Sequence, residues 1–500
     1  MTDDNGRREF LRRGAVAAAA GIVGGGSAAA PGQDPPAAET PPAADARAGD
    51  ARPSGAEATA AESSERLPEK FQEYSRYRPS YGGPPESDTY MGKLVPGLRA
   101  SGLPPVRVEA PDLGKLPWKM VDGAKEFHIY CEHVRRELLP GNWMDFFGYN
   151  GSMPGPTIEV QQGDRVRFVV HNQLPEPTTI HWHGLELPVE EDGVPGLTQK
   201  PIAPGETYVY EYDLHQAGTF FYHSHMPMQE AFGMVGFFII HPAVAYDPPV
   251  DRDFLLLFQN FRIDPNQTIP NSMAMEWSWH TINGRSGPYT TPMVCRHGER
   301  VRIRILDFSP MQHHPIHIHG HTFWKTGHEG ARIPKSAWIP RNTELIAVSQ
   351  ATDFEFIAFN PGDWIMHCHM VHHMMNHMVK QVGPRIREDV DVTQYRGNLD
   401  SRPQVKFPHT DPGFEVPGYP QMMQGQEMSP AEMQKINNRR ETRGMRPMWH
   451  MGVKGLMTVV RVLPDDLYDL VMHSDEELQP GQVFEEIKRR RGKPEGKEQA

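Results

Sequence analysis

Three cysteines, Cys131, Cys295 and Cys368, are all that the 500-residue chain contains. So few exclude a fold stapled by a set of disulfides. Positive charge is also short: 51 Lys and Arg stand against 63 Asp and Glu, a net charge of −12. That balance argues against nucleic acid and against an anionic membrane surface as partners. No segment reaches the roughly 18 uninterrupted, strongly apolar residues of a membrane span, so the mature chain is expected to be soluble. What is abundant is histidine, 25 residues in all. The densest stretch, "HCHMVHHMMNHM" (367–378), sets Cys368 between two histidines and adds three more histidines and four methionines. Neither a core strand nor a disulfide has a use for so many imidazoles.

The N-terminus reads as a targeting segment. Arg7, Arg8, Phe10 and Leu11 resemble a twin-arginine export motif, an Ala/Gly-rich apolar run follows, and "SAAAP" offers a cleavage site near Ala30. Residues 1–30 are therefore expected to direct export to the periplasm or beyond the cell. Residues 31–65 are Pro, Ala, Glu and Ser with almost no large apolar side chain, the composition of a disordered linker. Cys131 and Cys295 either pair across domains or are small buried core residues.

Two stretches repeat each other. "PTIEVQQGDRVRFVVHNQL" (156–174) and "PMVCRHGERVRIRILDF" (292–308) both carry a strand, a glycine turn and a second strand. In that second strand arginines alternate with Val, Ile or Phe. Period-two alternation predicts half-buried strands. The echo continues from "TIHWHG" (179–184) to "PIHIHG" (315–320), and from "AGTFFYHSH" (217–225) to "PGDWIMHCH" (361–369). A repeat this long is one β-sandwich. The expected fold is all-β, with two sandwiches at 115–245 and 250–387 and a Met-rich extension at 388–500. Within that extension, "GLMTVVRVLP" (455–464) reads as one more strand.

Each copy contributes two His-x-His pairs: His181/His183 and His223/His225, then His317/His319 and His367/His369. Residues i and i+2 of a strand point to the same side, so each pair offers two imidazoles together. Imidazole suits copper, zinc, iron and nickel. Cys368 alternates to the side opposite His367 and His369. With His314, His373 and the more distant Met378 it supplies the two-histidine, one-thiolate, one-thioether set of a blue-copper electron-transfer site.

In order and content, "HWHG", "HSH", "HPIHIHGH" and "HCHMVHHMMNHM" resemble the four copper motifs of the multicopper oxidases, the laccase family. The resemblance covers roughly residues 120–385. It implies repeated cupredoxin domains of Greek-key topology, and four one-electron oxidations coupled to reduction of O2 to water. It also implies four coppers per chain. His314, Cys368, His373 and axial Met378 would hold type 1. His181 and His317 would hold type 2. His183, His223, His225, His319, His367 and His369 would hold the type 3 pair. Only 92 positions separate His225 from His317, too few for a complete middle domain, so the chain is similar to two-domain laccases, which form homotrimers. In the first copy Thr178, Ser224 and Gln229 stand where the second has His314, Cys368 and His373, so type 1 copper is expected in the second domain alone. Asp192 fills the place of a proton-relaying acid, or is simply an Asp-Gly turn. A second relay acid known from some relatives has Met374 in its place.

The electron donor is the least legible feature. Phenols and Cu(I) both fit an accessible type 1 site. Met370, Met374, Met375 and Met378, with the tail methionines Met422, Met423, Met428, Met433, Met445, Met448, Met451 and Met457, either fill apolar gaps or guide Cu(I). Two alternatives remain: a copper-sequestering resistance protein without turnover, and an enzyme like copper nitrite reductase, which carries type 1 copper in its first domain.

Overall fold

The computed structural model describes residues 106–263, 267–374, 428–447, 449–450 and 453–492, with two-residue strands at 89–90, 93–94, 405–406 and 415–416. The export segment 1–30, the linker 31–65, Met375, Met378, Met422, Met423, Met448 and Met451 lie outside the described residues.

The first sandwich uses β1 (Trp118–Val121), β2 (Ala124–Leu139), β3 (Asn142–Tyr149), β4 (Ile158–Gln161), β5 (Arg165–Asn172), β6 (His181–His183), β7 (Thr207–Asp213), β8 (Gly218–His223) and β9 (Val235–His241). One sheet runs β7-β5-β2-β1 with β3 also on β2, and the facing sheet runs β4-β9-β8-β6. Alternation works here as the sequence predicts. Val166, Phe168 and Val170 of β5 enter the core, while Arg165 and Arg167 face outward and donate to Glu211 on β7 at 2.8 and 2.6 Å.

The second sandwich uses β10 (Arg252–Phe261), β11 (Trp279–Ile282), β12 (Met293–Arg296), β13 (Arg300–Asp307), β14 (His314–Ile318), β15 (Phe323–His328), β16 (Thr343–Ile346), β17 (Gln350–Ile357), β18 (Gly362–Cys368) and β19 (Met457–Leu463). Its sheets run β11-β10-β13-β17-β15 and β12-β19-β18-β14-β16. The strand from the C-terminal extension thus lies inside the second sandwich, parallel to β12 and antiparallel to β18. This corrects the expected end of that domain at residue 387. Val460 and Val462 complete the core beside Cys368, a long-range pairing that local pattern cannot announce. Helices Asp465–Met472 and Gln482–Gly492 then pack Leu467, Tyr468, Val471 and Ile487 against Val294 and Leu463.

A second correction concerns β13. Its arginines are not on a solvated face: Arg302 and Arg304 are 7% and 1% exposed. The reason is that the β4-β9-β8-β6 sheet lies on top of it. Phe221, Val235, Phe237 and Ile239 of the first sandwich pack with Leu255, Leu257, Leu306 and Phe308 of the second. Arg304 meets both carboxylate oxygens of Asp253 at 2.9 Å and donates to the Thr219 hydroxyl at 2.7 Å. Thr219 donates in turn to Asp353 at 2.8 Å. Burial works to raise the Asp253 carboxyl, but Arg302 and Arg304 outweigh it and hold it well below the usual range. Cys131 and Cys295 are free and buried in separate cores, so they serve as core residues and do not pair.

Removing one side of a buried ion pair leaves the other charge without compensation. Asp253→Asn is therefore expected to cost about 3–5 kcal/mol of stability, read as a lower denaturant midpoint. A loss under about 1 kcal/mol, the range of exposed pairs, would show that water compensates Arg304 at this interface.

Candidate metal centre

β14 and β18 pair with Ile316 opposite Cys368 and His317 opposite His367. The pleat then sorts the residues. Ile316, Ile318, Met366 and Cys368 enter the core, and His317, His319, His367 and His369 gather on the other face. β6 and β8 do the same in the first sandwich, with His181 opposite His223 and Trp182 opposite Tyr222.

On the core side three predicted ligands converge. Cys368 Sγ lies 3.4 Å from His373 Nδ1, which lies 3.0 Å from His314 Nδ1. All three are buried. Burial pushes the Cys368 thiol up to about 12, and burial together with His372 brings the His373 imidazole down to about 4. Burial also holds His314 well below its ordinary value. Neutral imidazoles are ready to ligate. The sulfur stays a thiol unless a cation stands beside it, since a coordinating metal is what deprotonates such a thiol. Two nitrogens and one sulfur facing one point fit a copper ion. The fourth candidate, Met378, lies outside the described residues.

Groups that sequence reasoning missed stand behind these ligands. His314 Nε2 lies 3.0 Å from the Ser309 hydroxyl, 3.2 Å from Asn260 Nδ2 and 3.8 Å from Asp307. The His280 ring sits 4.5 Å from that of His373, with Nδ1 of His280 bonded to Asn260 Oδ1 at 3.0 Å. His280 has no partner in the repeat, and a lone histidine carries no signal in sequence.

On the outer face of the first sandwich, His181, His183 and His223 bring ligand nitrogens within 4.8 Å of one another. The His225 ring is 5.3 Å from that of His181. His181 Nδ1–H donates to the Asp192 carbonyl at 2.8 Å, and Asp192 Oδ1 is 3.4 Å from the same nitrogen. The second set matches it. His317, His319, His367 and His369 have ring centroids 4.7 to 5.8 Å apart, and His317 Nδ1–H donates to the Asn342 carbonyl at 2.6 Å. His223 and His367 each donate Nδ1–H to the carbonyl of the following residue, Ser224 or Cys368, at 2.7 and 2.8 Å. Each repeat thereby turns Nε2 of the corresponding imidazole toward the cluster. Burial, then His181 and His225, lowers His183 to about 4. Glu230, pushed up to about 7 by burial, lies 3.8 Å from His223.

Where the first sandwich lacks a thiolate, its polar residues satisfy one another. Thr178 and Ser224 both donate to Gln229 Oε1 at 2.7 Å, and Gln229 donates to Glu176 at 2.7 Å. A packed hydrogen-bond knot occupies the counterpart of the cysteine site.

Two multicopper oxidase family models match this chain, at residues 131–244 and 261–386. The chain belongs to the multicopper oxidase family. Among multicopper oxidase relatives, copper resistance protein A of Escherichia coli is 35% identical over 134 residues, 27% of this chain and 22% of that protein. Dihydrogeodin oxidase of Aspergillus terreus is 47% identical over 107 residues, 21% of this chain and 18% of that protein. The alignments thus span only about a quarter or less of those relatives' lengths. The blue copper oxidase structure from Nitrosomonas europaea shares the cupredoxin-like fold. It has a TM-score of 0.50 at 23% identity, covering 72% of this chain and 93% of that one.

Cys368→Ser is expected to remove the intense visible absorption of a copper–thiolate bond and one bound metal, while the two histidine sets keep theirs. Metal analysis and absorption spectra check this. Full colour in the variant would refute the assignment of Cys368.

Proposed function

We propose that this chain is a copper-dependent oxidase that takes single electrons from phenols or Cu(I) and reduces O2 to water. The observation that carries the proposal is the division of labour on β18: Cys368 faces a buried three-ligand site while both adjacent histidines face a four-imidazole cluster. Bound copper would supply the one-electron transfers and the reduction of O2. In this reading His314, Cys368, His373 and Met378 hold the type 1 ion, His181 and His317 the type 2 ion, and His183, His223, His225, His319, His367 and His369 the type 3 pair. The covalent link from Cys368 to His367 and His369 gives an electron a short path between sites. The Thr178–Ser224–Gln229 knot argues against the nitrite-reductase arrangement. Steady-state O2 uptake by copper-loaded protein with a reducing substrate separates an oxidase from a storage protein, which would take up none.

Layering bears on assembly. Beyond the β7-β5-β2-β1 sheet, the stack runs through the first sandwich's histidine-bearing sheet, the β10/β13 sheet and the β14/β18 sheet. The second histidine set is on the far face of the last. Two sheet spacings, about 20 Å, separate the sets. Among the described residues no ring contact joins a histidine of one set to a histidine of the other. His319 and His369 are exposed, as expected of a face that a neighbouring chain covers. Each complete cluster then joins the first domain of one chain to the second domain of another. Such a heterologous contact closes in a ring, and a homotrimer is expected. Light scattering on active protein checks it; a fully active monomer would count against it.

Asp192 is suited to proton relay. Its carbonyl orients His181 while its partly exposed carboxylate lies 3.4 Å from the same nitrogen. Asp192→Asn is expected to slow reoxidation by O2 about 10²–10⁴-fold, with reduction of the blue site unchanged. Stopped-flow kinetics on the two half-reactions tests this, and equal rates of reoxidation would reduce Asp192 to a turn residue.

A further inference from the structure

β19 does more than complete a sheet. Its antiparallel ladder on β18 sets Met366 opposite Thr458 and His367 opposite Met457. One step further, the Cys368 N–H donates to the Leu456 carbonyl at 3.0 Å. Leu456 therefore stands opposite Cys368. Its own N–H donates to the His373 carbonyl at 3.1 Å, and the Lys454 N–H donates to the Met374 carbonyl at 2.8 Å. One residue of the C-terminal extension is thus tied by its backbone to two of the three converging ligands. The bend that delivers it is fixed as well. Gly455, at φ +74°, exchanges backbone hydrogen bonds with Gly287 at 2.7 and 3.0 Å.

Opposed residues of an antiparallel pair share a face, with Cβ atoms about 4.5–5.5 Å apart. Leu456 is fully buried and belongs to the same core cluster as Cys368 and Ile316, which flanks Cys368 on its other side. Met457, the next residue, turns to the opposite face and packs with Met445 and Val459. The pleat gives the cysteine an aliphatic neighbour and carries the adjacent thioether away from it.

We propose that Leu456 closes the copper site of Cys368 in the place given above to Met378, leaving the ion with two imidazoles and one thiolate. The proposal rests on the oxidase reading and changes one ligand in it. A trigonal site of two histidines and a cysteine keeps its character without a fourth donor, because an axial thioether is held by a long, weak bond that tunes the potential. Hydrocarbon offers no electron pair, and doubly charged Cu(II) loses more by that than Cu(I) does. Leu456 thus acts as a positioning residue: its backbone holds Cys368 and His373, and its side chain raises the reduction potential. The site becomes a stronger acceptor of electrons from weak reductants.

Two variants of the copper-loaded full chain test this, Leu456→Met and Met378→Leu, both close to volume-conserving. The readout is the reduction potential of the blue copper, titrated without substrate and followed by its visible absorption. L456M is expected to lower the potential, moving the copper about tenfold toward Cu(II) at a fixed ambient potential, about 59 mV for one electron. M378L is expected to leave potential and absorption where they were. A shifted potential in M378L overturns the proposal, and so does an L456M potential that does not fall. If L456M loses its colour, M378L alone decides. Absence of O2 uptake would defeat the oxidase reading, while the potentials, read without substrate, still decide the neighbour of Cys368. A parent protein with no blue absorption overturns both.

Discussion

The two-residue period of one β-strand governs the metal chemistry of this protein. In β18 the pleat sends Cys368 into a dry core and its two covalent neighbours to the opposite face. One peptide segment thereby serves two metal sites of different character. A one-residue slip in register would invert every side chain, exposing the thiol and burying the imidazoles. Ile316 opposite Cys368, and β19 on the other flank, hold that register.

Burial then dominates the protonation states of the buried ligands, with neighbouring groups adding to it. Desolvation disfavours a charged imidazole and a bare thiolate alike, so His314 and His373 stay neutral while Cys368 stays protonated until a cation arrives. Metal binding at this point is consequently coupled to release of a proton. The outer clusters work differently. Backbone carbonyls of Asp192, Asn342, Ser224 and Cys368 orient their rings, leaving the imidazole nitrogens turned toward one another on partly open faces.

The stacking of the sandwiches adds a constraint of a larger scale. Arg304, Asp253 and Thr219 lock one sheet of the first domain onto the second, and that contact keeps the two histidine faces apart within a chain. It also brings the helix after His225 near the loop before His314, creating a methionine-lined cavity from segments that are remote in sequence.

Histidine pairs at strand spacing, their repetition and the lone Cys368 between two of them determined the all-β fold and the metal-ligand candidates, because side-chain alternation is a local property of extended backbone. The knot at Thr178, Ser224 and Gln229 was likewise visible as a gap in the repeat. Tertiary structure alone decided the rest. Arg302 and Arg304 looked like solvated strand residues until the first domain covered them, and a strand 70 residues past the expected boundary entered the second sheet. His280 and Ser309 carry no spacing signal. Their roles depend on which loops meet, and that follows from long-range pairing and from the face each sheet buries.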